Sequence, residues 1–264
     1  MSHNHTNFLA ESKGDPSTES GFFLFIKHPG ETLSDLLKRF RKEKGFDASL
    51  PITYAGRLDP MAEGLVILLT GERCKEKDNF LVLPKTYIFQ VLFGVATDSF
   101  DMLGVVTKID FTIPTEREVS LAIELVKNKK VFPYPPFSSK PVFGMPLFAH
   151  ARKGTLPEEL PVRKGGIKKL SLLSLKTFSA KELVMKSIET IQKVTGDFRQ
   201  EKIISEWQDF LEKEGDRKVL LATLEATVSS GVYIRSIAVA LGEALGTQAL
   251  AYIIDRTAIG DYKK

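Results

Sequence analysis

Short apolar segments bounded by turn-forming residues constrain the fold of this chain more than any other feature. Residues 22–26 form a continuous apolar run that ends near a Pro-Gly pair, and residues 65–69 form a second run. Residues 87–93 are rich in β-branched and aromatic side chains, and residues 220–228 alternate as in a strand with one face more deeply buried. These segments predict the strands of a sheet with a buried core.

Helix signals lie between these segments. Thr32 with Asp35, and Thr115 with Glu118, have the spacing of capping boxes ahead of amphipathic runs. A further helix is predicted over residues 236–245, where a glycine follows the last apolar position. Because the strands are grouped between separate helices rather than alternating strictly with them, the pattern predicts an α+β fold.

Residues 179–217 are more highly charged and predict two amphipathic helices. Val184, Ile188 and Ile191 form one helical stripe, and a second stripe follows over residues 203–211. We interpret this segment as a helical insert in a domain of residues 21–264. Residues 1–20 are polar and partly acidic, without the basic and then apolar order of a signal peptide, and predict a mobile tail.

Cysteine, histidine and hydropathy patterns exclude several classes of protein. The single cysteine, Cys74, excludes an internal disulfide framework and fits a reducing, cytoplasmic location. No apolar run approaches the roughly 20 residues that a helix needs to span a bilayer, so no membrane association is expected. The histidines show no metal-ligand spacing with Cys74, and no metal site is predicted.

Basic residues are unevenly distributed along the chain. The net charge of +4 says little about partners, but ten basic residues in residues 127–169 face only Glu158 and Glu159. They are Lys127, Lys129, Lys130, Lys140, Arg152, Lys153, Arg163, Lys164, Lys168 and Lys169. On charge alone, a solvated loop surface and a nucleic-acid footprint account for this cluster equally well.

The segment 54–65 combines an arginine, an acid and two glycines just before an apolar strand. Pro60 keeps Asp59 out of the helical backbone region. Gly56 and Gly64 permit backbone angles or close chain approaches that other residues do not. From the residues alone, an ordinary turn or helix cap is the favoured explanation.

Residues 56–65, Gly-Arg-Leu-Asp-Pro-Met-Ala-Glu-Gly-Leu, resemble the signature of the TruB family of pseudouridine synthases. Further segments resemble this family in the same order. They are Lys-Thr-Tyr at 85–87, Pro-Pro-Phe-Ser-Ser-Lys at 135–140, Ala-Arg-Lys-Gly at 151–154, Ser-Ser-Gly-Val-Tyr-Ile-Arg-Ser at 229–236 and Leu-Gly-Glu-Ala-Leu-Gly at 241–246. The likeness covers residues 22–262 outside the insert. It implies the pseudouridine synthase fold, with a mixed, mostly antiparallel central sheet flanked by helices.

The resemblance implies an isomerase that converts uridine-55 in the T-loop of tRNA to pseudouridine without a metal or organic cofactor. Asp59 matches the catalytic carboxylate, and carboxylates are known covalent nucleophiles. Arg235 matches the arginine that pairs with this aspartate, since a guanidinium can hold a carboxylate in two-point contact. Tyr87 matches the tyrosine that stacks on the target base. Tyr233 and Ile254 match residues that line the uracil pocket, although core packing would also account for both.

Three positions depart from the family pattern. Tyr54 takes the place of the usual histidine. Arg57 stands where the family generally has a small residue, and Arg57-Leu58-Asp59 instead resembles the Arg-Leu-Asp of the related RluA group. Lys27 belongs to a turn that resembles the family's Lys-Pro-x-Gly turn with one residue inserted. Lys27 and Arg57 are nevertheless predicted to contact the substrate.

The implied partner is the T-arm of tRNA, held by phosphate contacts from residues 127–169. No obligate protein partner is expected, and the protein is predicted to be a monomer. Residues 255–262 resemble the end of the family's catalytic domain, so a small C-terminal PUA domain is not expected. The role of residues 179–217 stays open between packing on the core, contact with RNA and self-association.

Two other functions remain as alternatives at this point. One is a pseudouridine synthase that acts on another RNA, because Tyr54 and Arg57 depart from the family pattern. The other is a non-catalytic RNA-binding or RNA-folding module. The combined presence of Asp59, Tyr87 and Arg235 argues against this module.

Overall fold

The computed structural model describes residues 20–264, so the mobile tail predicted for residues 1–20 lies outside the described residues except for its last position. The strands are β1 (Phe22–Lys27), β2 (Ile52–Ala55), β3 (Glu63–Thr70), β4 (Lys85–Phe93), β5 (Val95–Thr97), β6 (Val106–Ile109), β7 (Val131–Pro133), β8 (Pro141–Val142), β9 (Met145–Pro146), β10 (Val162–Lys164), β11 (Ile167–Ser179), β12 (Lys218–Val228), β13 (Ala249–Ile259) and β14 (Tyr262–Lys263). The α-helices are α1 (Leu33–Lys44), α2 (Lys77–Leu81), α3 (Glu116–Lys127), α4 (Leu147–Lys153), α5 (Ala180–Ile191), α6 (Gln200–Glu214) and α7 (Ile234–Leu245). A short 3-10 helix, Gly71–Glu76, precedes α2.

Local sequence signals set the ends of three helices. Helices α1 and α3 begin with the capping boxes predicted at Thr32 and Thr115, in which side chain and backbone hydrogen bonds are exchanged with the residue three positions on. Helix α7 ends at Gly246, which has the left-handed backbone conformation expected after a helix.

The central sheet has the strand order β1-β3-β13-β4-β12-β11, with β2 beside β3 and β14 beside β13. Its pairings are antiparallel except that of β3 with β13, which is parallel. The predicted α+β fold with a mixed, mostly antiparallel sheet is confirmed. Strands β11 and β13 are not predicted from the sequence. Strand β13 is buried on both faces along its first half and therefore lacks a clear alternation.

Both faces of the sheet are covered by helices. Helices α1, α3 and α7 pack on one face in the main core. Helices α5 and α6, which lie in the predicted insert, pack on part of the opposite face in a second core that includes Val219 and Leu221 of β12. Trp207 of α6 is fully buried, and its indole N–H donates to the carbonyl of Met102 at 3.1 Å. Among residues 20–264, no helix is both long and apolar enough to cross a membrane.

One row of paired residues crosses the sheet and joins distant parts of the chain. Lys27 of β1 pairs with Gly64 of β3, and Gly64 pairs with Arg256 of β13. Arg256 pairs in turn with Tyr87 of β4. Gly64 has a φ of +114°, and a Cβ there would lie 2.4 Å from the carbonyl oxygen of Arg256, so a side chain would prevent this pairing. Since β3 begins at Glu63, shortly after Asp59, this row places Asp59 and Tyr87 around the same cavity.

Candidate active site

Asp59 lies on a tight turn between β2 and β3. The N–H of Ala62 donates to the carbonyl of Asp59 at 3.0 Å, with Pro60 at the second position of the turn, where its fixed φ is favourable. Lys27 lies beneath this turn, and its Nζ donates to the carbonyls of Pro60 at 3.0 Å and Ala62 at 2.5 Å. Burial, opposed in part by nearby carboxylates, lowers the pKa of Lys27 to about 8. The ammonium of Lys27 therefore contacts the backbone of the turn rather than an open cavity.

Arg235 holds the carboxylate of Asp59 in a two-point contact. Its Nε donates to Asp59 Oδ2 and its Nη2 to Asp59 Oδ1, both at 2.9 Å. Two backbone carbonyls orient the same guanidinium: Ser99 accepts from Nη1 at 2.8 Å and Phe137 accepts from Nη2 at 3.3 Å. The side chain of Arg235 is 2% exposed and that of Asp59 is 29% exposed, so one carboxylate face remains open to a ligand. Such charge-assisted, two-point pairs fix geometry strongly.

Asp101 is a second acid beside Arg235, and nothing in the sequence singles it out. Its Oδ2 lies 3.5 Å from Arg235 Nε, while its Oδ1 accepts from the Ser99 hydroxyl at 2.7 Å and from the Leu103 N–H at 3.0 Å. Burial raises the pKa of Asp101. Burial acts to lower the pKa of Arg235, but Asp59 and Asp101 outweigh it and raise that pKa above its ordinary value. Among the described residues, no group of three or more His, Cys, Asp or Glu side chains is arranged to hold a metal ion.

A cavity of about 350 Å³ opens beside Asp59, and we call it the Asp59 cavity. Five residues predicted from the sequence line it: Asp59, Arg57, Tyr87, Tyr233 and Ile254. Tyr87 and Ile254 are only 9% and 7% exposed, and both also belong to the main core. Burial, together with the charge of Asp59, raises the pKa of Tyr233 to about 12, so its hydroxyl stays protonated near neutral pH. The cavity therefore combines apolar and aromatic walls with one carboxylate, and four cationic side chains also line it: Arg57, Lys77, Lys85 and Arg256.

Arg256 and Lys85 support the walls of the Asp59 cavity, although the sequence alone assigns neither a role of its own. Arg256 is 1% exposed; its Nε donates to the carbonyl of Leu65 at 2.7 Å and its Nη1 to that of Arg57 at 3.0 Å. Lys85 Nζ donates to the carbonyl of Leu81 at 2.7 Å, and burial, together with the charge of Arg256, lowers the pKa of Lys85 to about 8. In the sequence, Lys85 belongs to the Lys-Thr-Tyr segment at 85–87, whereas no local pattern marks Arg256.

Arg57 is exposed at the rim of the Asp59 cavity. Its Cζ lies 6.0 Å from the ring centre of Tyr54, and Lys77 Nζ approaches the same ring at 5.9 Å. These distances are at the outer limit of cation–π contact. Within residues 20–264, Arg57 forms no ion pair, so its charge is available to a ligand at the rim.

A second cavity of about 330 Å³ also borders Asp59, and we call it the insert-side cavity. It shares Arg57, Asp59 and Tyr233 with the Asp59 cavity, and Phe198 and Arg199 of the insert form part of its wall. The segment 179–217 therefore packs on the core and also reaches the candidate site. The sequence leaves this role open, because its helical stripes describe only the packing.

Several basic residues of 127–169 already have partners within the protein. Four of them pair with carboxylates: Lys127 with Glu124, Lys129 with Glu243, Arg152 with Asp197, and Lys169 with Glu225. Arg163 donates to the carbonyl of Ser230 at 3.0 Å, at the rim of the Asp59 cavity. Lys140 Nζ lies 5.5 Å from the ring centre of Tyr134, which packs edge-on against Tyr233. Arg152 also lines the insert-side cavity, so positive charge from this stretch lies beside both cavities.

Comparison with known families finds one matching family model. The model described as TruB family pseudouridylate synthase (N terminal domain) matches residues 46–191, which is more than half of the 264 residues. This range includes Asp59 and Tyr87 and ends at the C-terminus of α5, before Arg235.

This chain is also similar to curated proteins and to solved structures. The tRNA pseudouridine synthase B of Protochlamydia amoebophila is 36% identical over 149 residues, which is 56% of this chain and 56% of that protein. The protein of the same name from Syntrophobacter fumaroxidans is 26% identical over 244 residues, or 92% of this chain and 65% of that protein. The chain spans about half to two thirds of the length of the first curated relatives it matches. A chain in the crystal structure of a Cbf5-Nop10-Gar1 complex shares the fold, with a TM-score of 0.56 at 14% identity over 98% of this chain and 57% of that chain.

Proposed function

Because this chain belongs to the TruB family of pseudouridylate synthases, we propose that it isomerises uridine-55 in the T-loop of tRNA to pseudouridine, with Asp59 as the nucleophile. The observation that carries the proposal is the contact of Asp59 with Arg235 beside a cavity lined by Tyr87, Tyr233 and Ile254.

The geometry of Asp59 suits a nucleophile that must be held still. The turn at Pro60 fixes its backbone, Lys27 supports the turn from below, and Arg235 fixes the plane of the carboxylate. Since the Asp59 side chain keeps 29% of its surface exposed, it can approach a nucleoside without first breaking the ion pair. Positioning of this kind supplies a large part of the rate enhancement in many enzymes.

In the proposed reaction, the carboxylate of Asp59 forms a bond to the target nucleoside and the N1–C1′ glycosidic bond breaks. The freed uracil turns within the Asp59 cavity and forms a new bond from C5 to C1′. The proton on C5 leaves, N1 takes up a proton, and Asp59 is released unchanged. Tyr87 stacks on the base and assists the proton transfer, and Tyr233 and Ile254 confine the base while it turns.

The target uridine must leave its stack to enter this cavity, which costs a few kcal/mol and is offset by stacking and hydrogen bonds within the pocket. Arg57 and Arg163 lie at the rim, where cations can bind the phosphates on either side of an extruded nucleotide. Such contacts position the RNA without distinguishing its sequence.

Release of tritium from a tRNA transcript labelled at C5 of uridine tests this function directly. We expect the wild-type protein to release tritium from position 55. We expect Asp59→Asn to abolish release while RNA affinity stays within a few-fold, because phosphate contacts dominate binding. Asp209→Asn is the matched control, since this exposed aspartate of α6 also loses one negative charge but lies outside both cavities.

Two outcomes would replace this proposal by another. Binding without tritium release by the pure wild-type protein would indicate a non-catalytic RNA-binding module. Pseudouridine that persists at position 55 in cells lacking the protein, with loss at another site, would indicate a synthase for a different RNA.

A further inference from the structure

Arg199 lies just before α6, at a backbone position that suits other residues better. It has φ of 63° and ψ of 28°, in the left-handed region that favours glycine and asparagine, and its side chain makes no capping hydrogen bond. A non-glycine residue in this conformation is strained, so its presence calls for a reason outside its own helix.

Two contacts with other parts of the protein supply such a reason. The guanidinium of Arg199 donates from Nη1 to Asp98 Oδ2 at 2.6 Å and from Nη2 to Asp98 Oδ1 at 3.1 Å. Its Cζ also lies 3.9 Å from the ring centre of Phe137. A planar, two-point contact combined with stacking is an arrangement that arginine forms and lysine does not.

Both contacts end beside the carbonyls that hold Arg235. Asp98 directly precedes Ser99, whose carbonyl accepts from Arg235 Nη1 at 2.8 Å. Phe137 itself accepts from Arg235 Nη2 at 3.3 Å through its own carbonyl. From the insert, Arg199 therefore joins the two backbone segments that orient the guanidinium of the proposed catalytic pair.

The loop that carries Arg199 is itself well anchored. Gln200 Nε2 donates to the carbonyls of Val194 at 2.8 Å and Gly196 at 2.7 Å, and Gln200 Oε1 accepts from the Phe198 N–H at 2.8 Å. Because the buried Trp207 also anchors α6 in the second core, the loop that carries Arg199 is held in place on the protein.

We propose that Arg199 is a positioning residue for the reaction, acting through the Ser99 and Phe137 carbonyls on Arg235 and so on Asp59. This inference rests on the proposed function and deepens it, because it gives the insert a part in catalysis. Its failure can be told apart from a failure of the proposed function by a readout that needs no RNA.

The test compares Arg199→Ala and Arg199→Lys with a matched control, Arg217→Ala. Arg217 also lies over a phenylalanine outside the insert, at 4.8 Å from the ring centre of Phe111, and also pairs with an acid, Glu214. None of these control contacts leads to Arg235. A general loss of stability of the insert would therefore lower the activity of Arg199→Ala and Arg217→Ala alike.

We expect Arg199→Ala to lower the turnover number in the tritium-release assay by about 10- to 100-fold, with KM nearly unchanged, because the pair is misplaced rather than RNA binding lost. Arg199→Lys should fall between alanine and wild type, and Arg217→Ala should match wild type. Unchanged turnover in Arg199→Ala, or an equal loss in Arg217→Ala, would overturn the proposal.

The second readout is the hydrogen-exchange rate of the Arg235 Nε–H, measured by NMR in the free protein. We expect faster exchange in Arg199→Ala and wild-type exchange in Arg217→Ala. If the wild-type protein proves inactive but exchange changes in this way, Arg199 orients Arg235 as inferred and it is the proposed function that fails. If exchange does not change, the positioning role is refuted whatever the activity. Should the alanine variant not fold, Asp98→Asn breaks the same ion pair and replaces it in both assays.

Discussion

Replacing Arg235 by glutamine removes the central cation of the site. Removing one partner of a buried ion pair lowers the free energy of unfolding by about 3–5 kcal/mol, because the remaining charge is left uncompensated. Asp59 is 29% exposed and can regain water, whereas Asp101 is 7% exposed and lies 3.5 Å from Arg235 Nε. The uncompensated charge is thus mainly that of Asp101, and we expect a loss near the lower limit, about 3 kcal/mol.

Urea denaturation with linear extrapolation measures this loss in Arg235→Gln, in Asp101→Asn and in the double variant. The amide introduced by Asp101→Asn keeps an acceptor for the Ser99 hydroxyl and the Leu103 N–H, so this substitution changes mainly the charge. Because the double variant leaves no buried carboxylate at this position, its loss should be smaller than the sum of the single losses by about 1–3 kcal/mol.

Losses that add to within about 0.5 kcal/mol would show that Arg235 and Asp101 do not interact and would refute this reasoning. A loss below about 1 kcal/mol in Arg235→Gln would equally contradict it, since values of that size are typical of solvent-screened pairs. Arg235→Lys separates charge from geometry: it keeps the cation but not the two-point contact with Asp59, and we expect turnover to fall about 100-fold or more.

Two further predictions concern the backbone around Asp59. Gly64→Ala should lower the free energy of unfolding by more than about 2 kcal/mol, because the new Cβ would meet the backbone of Arg256 at a φ unfavourable for alanine. Gly166→Ala is the control, since a Cβ there would meet no atom within 4 Å. An equally small loss of stability in both variants would contradict the prediction. The pKa of Lys27 is about 8 in the folded protein, against an ordinary value of 10.5. Between pH 8 and pH 10.5 the unfolded chain therefore binds a proton that the folded protein does not, and the free energy of unfolding rises with pH in that window. The unfolding free energy of wild type minus that of Lys27→Met, measured by urea denaturation from pH 7 to pH 10, should therefore increase with pH. A constant difference would show that the pKa of Lys27 is not lowered in the folded protein.

Local patterns in the sequence predicted several elements near their observed limits. The capping boxes at Thr32 and Thr115 act within one helical turn, and the alternation in residues 220–228 reflects which face of β12 is buried more deeply. Pro60 likewise keeps Asp59 out of the helical backbone region, which favours a turn or a helix cap there. These features depend on neighbours a few residues away, so the order of residues is enough to specify them.

Strand β13 and the support of Asp59 could not be predicted in this way. Arg256, Asp101 and Arg199 have no local signature, because their importance arises from partners that the sheet register and the packing of the insert bring within reach. A charged residue in a linear sequence is compatible with a solvated surface as well as a buried contact. Only the fold decides between a solvated and a buried environment for such a residue, because the energy of a charge depends on the groups that surround it in space.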